Sequence, residues 1–202
     1  MSYPPFYERV EKIKLYDPLA EFLGSFDDGL VKFKYTNIVQ IAGHSCPTVA
    51  GAYLMTLVAV KELYGDELPV RGNIKVEFKE NMDEGVVGVI ATVISAITGA
   101  TKSHGFKGIS GKFSRVSLMD FEKSIDSSAR FTRTDTGQSV DVYYDPSVVP
   151  VEQRQQILFQ KLNQNIATQE EHDEFKQLWQ KRVENILCNY NDYDGLLKVK
   201  QV

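Results

Sequence analysis

The apolar stretch at positions 47–65, PTVAGAYLMTLVAVKELYG, limits the possible folds more than any other segment of the chain. Pro47 suits the first position of a helix and Gly65 suits the residue just past its end. The first turns are apolar on every side, so this helix has to be buried rather than laid on a surface. Gly51 and the alanines around it allow another element, such as a sheet, to approach closely.

Several other segments show the alternation or β-branched composition of strands. In GNIKVEFKE, Ile74, Val76 and Phe78 face one way and charged residues face the other. The apolar, β-branched run at 86–97 predicts a central strand. DTGQ at 135–138 predicts a hairpin turn between two strands. Further strands are expected within 29–43, 112–121, 129–134 and 139–145, and helical spacing is expected within 6–24.

After Pro150 the composition shifts to Gln, Glu and Lys, and two helices are expected. The second begins with a capping box at Thr168 and Glu171. Its apolar residues form one stripe, consisting of Phe175, Leu178, Trp179, Val183, Ile186 and Leu187. We therefore divide the chain into a domain at 1–149 and a helical extension at 150–202, which packs on that domain or on a dimer partner.

Composition excludes several classes of function. Apolar residues make up 43 % of the chain, charged residues 25 %, and the net charge is −4 without a basic stripe. A nucleic-acid partner is therefore not expected. Two cysteines exclude a disulfide framework and fit the reducing cytoplasm. No signal-peptide core and no membrane-spanning run is recognised, so no membrane association is expected.

The segment IAGHSCPT at 41–48 carries the strongest chemical signal. Pro47 pushes Cys46 into an extended conformation, and residues two apart in an extended segment project to one side. His44 and Cys46 then lie roughly 6–7 Å apart at their Cα atoms. A nitrogen and a sulfur at that spacing can meet on one zinc ion. The start of the helix also favours a thiolate at Cys46.

Structural explanations compete with this interpretation. A cysteine beside an apolar helix is often a small core residue, and a histidine is often only a hydrogen-bonding group. His172 is expected in solvent and Cys188 in packing. His104 lies in the glycine-rich loop TKSHGFKGISG, where it is either an exposed loop residue, a third metal ligand or an acid/base. GFKGISGKF has the wrong spacing for a P-loop, although a looser anion nest is compatible with it.

GHSCPTVAGAYLM resembles the Gly-His-x-Cys-Pro opening of the FmdE family, which takes its name from a component of formylmethanofuran dehydrogenase. The order of the following elements agrees over roughly residues 30–146, and RTDTGQSVDVYYDP is similar to that family's hairpin. The resemblance implies an α+β fold, with a mixed or antiparallel sheet packed against the buried helix and followed here by the helical extension. It also implies a transition-metal site, zinc in the first place, and a homodimer.

The resemblance assigns His44 and Cys46 to the metal-binding pair. The family's third ligand, the cysteine of Thr-Gly-Cys-Thr, falls on Ala100, which cannot bind a metal. His104 is the nearest substitute. Many members also carry a cysteine-rich zinc module near the C-terminus, whereas this chain has only Cys188 there.

Three functions follow from these residues. The first is a stand-alone, cytoplasmic metal-binding protein that uses His44, Cys46 and His104. Three protein ligands would leave a fourth position for a small molecule. The second is a metal-free enzyme with Cys46 as nucleophile and His44 or His104 as its base. The third is a non-catalytic accessory protein of a larger complex. The reaction, and any catalytic residue, is not assigned.

Overall fold

The computed structural model describes residues 2–202. Its helices are α1 Pro18–Phe22, α2 Tyr35–Ala42, α3 Pro47–Tyr64, α4 Val87–Thr98, α5 Gln153–Asn163 and α6 Gln169–Cys188. Its strands are β1 Ile13–Tyr16, β2 Leu30–Phe33, β3 Ile74–Glu77, β4 Met119–Asp120, β5 Ala129–Arg133, β6 Ser139–Tyr144 and β7 Leu197–Gln201. Within residues 2–202 we find no helix with both the length and the apolar character that crossing a bilayer requires.

The strands form two sheets. A five-stranded sheet has the order β4-β3-β5-β6-β7, in which β3 and β4 are parallel and the other neighbours are antiparallel. A separate antiparallel pair is formed by β1 and β2. With helices packed against the mixed sheet, the chain has the expected α+β fold.

Helix α3 is the centre of the core, as its apolar sequence predicts. Cys46 is its N-cap, Pro47 its first residue, and Gly65 follows its end with a positive φ of 54°. Most of its side chains are buried, and it contacts α4, α6 and strand β6. A helix surrounded on so many sides needs no polar face, because almost none of its surface meets water.

The apolar run at 86–97 is a helix, so the prediction of a central strand there is wrong. Its buried residues recur at helical spacing: Val87, Ile90, Ala91, Val93, Ile94, Ile97 and Thr98. Val86 and Val89 are 52 % and 38 % exposed, and apolar residues on the solvent side hide the periodicity that would have revealed the helix. Gly99, at φ 78°, ends α4 in the left-handed conformation.

Three other segments differ from the prediction. Residues 6–24 contain a 3-10 turn, β1 and the short α1 rather than one helical segment. The expected strands at 29–43 are β2 followed by α2, and the strand at 112–121 shrinks to the two residues of β4. Asp17 explains the first break, because its side chain accepts the Leu19 and Ala20 N–H groups and starts a new helix. The hairpin of β5 and β6 is confirmed.

The segment after residue 150 contains the two expected helices, and the capping box at Thr168 and Glu171 is confirmed. Helix α6 packs on α3, and β7 extends the sheet beside β6. Val183, Ile186 and Leu187 are buried, whereas Trp179 is half-buried. The segment is in contact with the rest of the chain, while the domain boundary at 149/150 stays a prediction.

Candidate functional site

A tight connection between α2 and α3 carries the His-x-Cys pair. Helix α2 ends at Ala42, and Gly43 turns the chain with a φ of 75°. Cys46 is extended, at φ −144° and ψ 171°, as expected of a residue that precedes proline. His44 is exposed, Ser45 is buried and Cys46 is half-buried. This alternation places Ser45 toward the interior between the two candidate ligands.

The imidazole of His44 is oriented by the backbone two residues before it. Its Nδ1 lies 3.0 Å from the carbonyl oxygen of Ala42. Because a carbonyl oxygen can only accept, Nδ1 carries the hydrogen, and in the neutral ring Nε2 keeps its lone pair. Metal-binding histidines in proteins are commonly held by such a bond. His44 therefore presents Nε2 as a donor atom.

The thiol of Cys46 lies at the N-terminus of α3. Its Sγ accepts the N–H of Val49 at 3.4 Å, so the side chain itself caps the helix. The unpaired N–H groups and the dipole at a helix N-terminus favour negative charge. The sulfur is thus placed at a helix N-terminus, where it can serve as a metal ligand or as a nucleophile.

Three aromatic side chains, from α2, β6 and α6, hold this segment in place. The Tyr35 hydroxyl is 2.8 Å from Ser45 Oγ, and Trp179 Nε1 donates to the Ser45 carbonyl at 2.9 Å. The Tyr144 hydroxyl donates to the Pro47 carbonyl at 2.7 Å. Burial raises the pKa of both Tyr35 and Tyr144, so these hydroxyls stay protonated. Sequence reasoning missed Tyr35, Ser45 and Tyr144, and found Trp179 only as an apolar residue.

Gly51 lets the Tyr144 ring reach the segment. A Cβ at Gly51 would lie 2.2 Å from Tyr144 Cε1, which is well inside van der Waals contact. We expect Gly51→Ala to lower the free energy of unfolding, because overpacking costs about 1–3 kcal/mol. The gain in helix propensity, about 1 kcal/mol, offsets only part of that cost.

In a Tyr144→Ala background, the same Gly51→Ala change should instead stabilise the protein by up to about 1 kcal/mol, since only the propensity term remains. Urea denaturation of the four proteins measures both effects. An effect of the same sign in both backgrounds would contradict the contact as the cause.

His104 is exposed and lines a cavity whose walls include neither His44 nor Cys46. This cavity, of about 330 Å³, is lined by one face of α4 together with Met82 and Met119. The loop is tied down at His104, whose carbonyl oxygen accepts the Thr101 hydroxyl. Among residues 2–202, no three His, Cys, Asp or Glu side chains are grouped so that they could hold one metal ion. The set of His44, Cys46 and His104 stays a prediction.

The other residues considered in the sequence analysis are Ala100, His172 and Cys188, and each is either packed in the fold or exposed on a helix. Ala100 is fully buried next to the end of α4. His172 is exposed on α6, as expected. Cys188 is half-buried with its Sγ 3.9 Å from the Phe6 carbonyl oxygen, and burial raises the pKa of its thiol.

A cavity of about 330 Å³ opens beside the first turn of α3. Thr48, Ser128 and Tyr144 lie on its wall together with the carboxylates Glu80 and Glu84. Because Thr48 follows Cys46 by two residues, a small molecule in this cavity would be close to the start of α3. The cavity is large enough for a small metabolite.

Comparison with known proteins finds one family. The sequence model described as "FmdE, Molybdenum formylmethanofuran dehydrogenase operon" matches residues 41–192. The match begins at the His-x-Cys segment, later than the residue 30 expected from the motifs. It ends at residue 192, beyond the expected 146, and so includes α5 and α6. A search of curated proteins finds no match.

Proposed function

Because the chain belongs to the FmdE family, whose model covers residues 41–192 of its 202, we propose that it binds a divalent transition metal through His44 and Cys46. One observation carries the proposal. The bond from His44 Nδ1 to Ala42 orients the imidazole and leaves Nε2 as a donor, two residues before a cysteine that caps a helix.

The donor types favour zinc. One imidazole nitrogen and one thiolate are the ligands that zinc combines in proteins, and a helix N-terminus supports the thiolate. Zinc bound here would supply Lewis acidity toward a small molecule. Tyr35 holds the side-chain hydroxyl of Ser45 and Trp179 holds its carbonyl oxygen, between the two donors, so that little ordering remains for the metal to impose.

Two donors from one chain leave the site incomplete, since zinc sites use at least three protein ligands. We propose that a homodimer supplies the third, and that His104 of a second copy is that ligand. Its exposure on a loop leaves the imidazole accessible to another chain. This arrangement agrees with the absence of a three-donor group within residues 2–202 of a single chain.

Zinc titration of variants tests the pair. We expect His44→Ala and Cys46→Ala to weaken zinc binding by at least about 100-fold, because loss of even an outer-shell partner costs about 10–100-fold. His172→Ala and Cys188→Ala remove the same residue types elsewhere in the chain and should leave the affinity unchanged. Equal affinities for Cys46→Ala and Cys188→Ala would disprove the site.

Mixing two variants that each bind zinc weakly tests whether His104 of a second copy is the third ligand. Cys46→Ala and His104→Ala chains should each bind zinc weakly, whereas a mixed dimer joins an intact pair to an intact His104. We expect the mixed dimer to recover one tight site, detected by calorimetry after co-refolding. If His104→Ala binds as tightly as the unmodified protein, His104 is not a ligand.

A second function is favoured by the N–H of Val49 that points at Cys46 Sγ. A thiolate held in this way is a nucleophile when no metal occupies it. Iodoacetamide should then modify Cys46 in metal-free protein faster than Cys188, and zinc should protect it.

A reducing compartment keeps Cys46 able to bind metal, and we place the protein in the cytoplasm for that reason.

A further inference from the structure

A buried ionic cluster lies apart from the His-x-Cys segment. Asp17 Oδ2 accepts Arg71 Nη1 at 2.8 Å, and Asp17 Oδ1 accepts Arg115 Nη2 at 2.7 Å. Side-chain exposure is 6 % for Asp17, 6 % for Arg115 and 24 % for Arg71. Two guanidinium groups therefore share a single carboxylate, and one positive charge is left without a counter-ion.

The single carboxylate also serves the backbone at the start of α1. Asp17 Oδ1 also accepts the N–H groups of Leu19 and Ala20. Arg71 reaches the carbonyl oxygens of Ala96 and Ile97 at the end of α4, which takes up part of its field. Arg115 has no comparable partner for Nη1, the terminal nitrogen that does not contact Asp17.

Arg115 Nη1 is buried and forms no hydrogen bond to the protein. The guanidinium fits here only because Gly72 and Gly99, which lie against Nη1, have no side chains. A Cβ at Gly72 would lie 2.3 Å from Nη1, and one at Gly99 would lie 2.7 Å from it. An unpaired donor on a buried cation is costly, and such a group calls for an explanation.

A cavity of about 440 Å³ is lined by these arginines and by residues 112–114, which directly follow the glycine-rich loop. Arg71, Arg115 and Lys112 supply three cations, Ser114 a hydroxyl, and Pro18 and Phe113 apolar walls. None of the described residues that line it is acidic. When Asp17, which pairs with both arginines, is counted with these three cations, the local charge is +2, in a chain whose net charge is −4.

We propose that this cavity binds a small organic phosphate monoester. Near neutral pH such a group carries close to two negative charges and three acceptor oxygens, which match the excess charge and the guanidinium donors. The cavity volume leaves room for an organic part against Phe113 and Pro18. Lys112 and Phe113, the last two residues of GFKGISGKF, thus belong to an anion site without P-loop spacing.

Calorimetric titration with phenyl phosphate tests the proposal at low ionic strength. We expect saturable binding, about tenfold tighter than that of inorganic phosphate or of benzoate. Lys112→Ala should weaken it about tenfold. Lys107→Ala removes the same charge from a nearby exposed position that does not line the cavity. It should change the affinity for phenyl phosphate less than twofold.

Arg115→Lys keeps the charge but removes the fork, and should also weaken binding about tenfold in protein whose circular dichroism is unchanged. Cys46→Ala should bind phenyl phosphate like the unmodified chain, so this result is independent of the metal proposal. No saturable binding of phenyl phosphate, or an equal loss in Lys107→Ala and Lys112→Ala, would overturn the site. Equal affinity for benzoate would overturn its assignment to phosphate, and equal affinity for inorganic phosphate its assignment to a monoester.

Discussion

Asp17→Asn should lower the free energy of unfolding by about 3–5 kcal/mol, the usual cost of breaking a buried ion pair by removing one partner. The amide still fits the space, but Arg71 and Arg115 lose their only shared counter-charge. Because Arg71 is 24 % exposed, water screens part of the loss, and we expect a value in the lower half of that range.

The pH dependence of this difference identifies its cause. Burial by itself would raise the pKa of Asp17, but the Arg71 hydrogen bond and the Arg115 charge outweigh it and hold the pKa below its ordinary value of 3.8. A lowered folded-state pKa gives stability that is complete above the unfolded-state pKa and lost as the pH falls through the folded value.

The gap between the unmodified protein and Asp17→Asn should therefore be full at pH 7 and shrink below about pH 4. Urea denaturation across this range measures it. Asp28→Asn is the matched control, since Asp28 is exposed and its side chain accepts only the nearby Leu30 N–H, at 2.9 Å. A gap that stays constant with pH would show that the Asn side chain acts through shape and not charge.

Leu57→Ala should cost about 2–5 kcal/mol, as large-to-small changes in a core do. Leu57 is 3 % exposed on α3, whose neighbours on several sides cannot close the resulting space without moving the sheet or α4. Denaturation midpoints and slopes give the measurement.

Val58→Ala is the matched control on the next residue of α3. Val58 is half-buried, and alanine is a better helix former than valine, so the loss should stay below about 1 kcal/mol. If the two variants unfold at the same urea concentration, α3 is not the centre of the core.

How much of the fold can be read from the sequence depends on where the deciding contacts lie. Helix α3 and strand β3 are predicted correctly because capping residues and alternation are local signals. Helix α4 is not, because Val86 and Val89 face solvent and make its pattern look uniformly apolar. Only the packing of α4 on α3 shows which of its faces is buried.

The candidate site divides in the same way. His44 and Cys46 stand two residues apart, and the rule for residues before proline supplies the extended geometry of Cys46. Two of the three aromatic groups that hold the segment, Tyr144 and Trp179, come from far along the chain, and no spacing rule pairs Ser45 with Trp179. Asp17 and Arg115 are 98 residues apart, so their ion pair was equally invisible in the sequence.

The bond between Trp179 and Ser45 joins residues separated by 134 positions, which has a consequence for the order of folding. During synthesis the His-x-Cys segment leaves the ribosome long before α6 exists, so it spends that time without one of its three aromatic supports. Contacts of such long range form late and slowly. Under the proposed metal binding, an ion that meets the nascent chain would find a loosely held pair, and tight binding would have to await the arrival of α6.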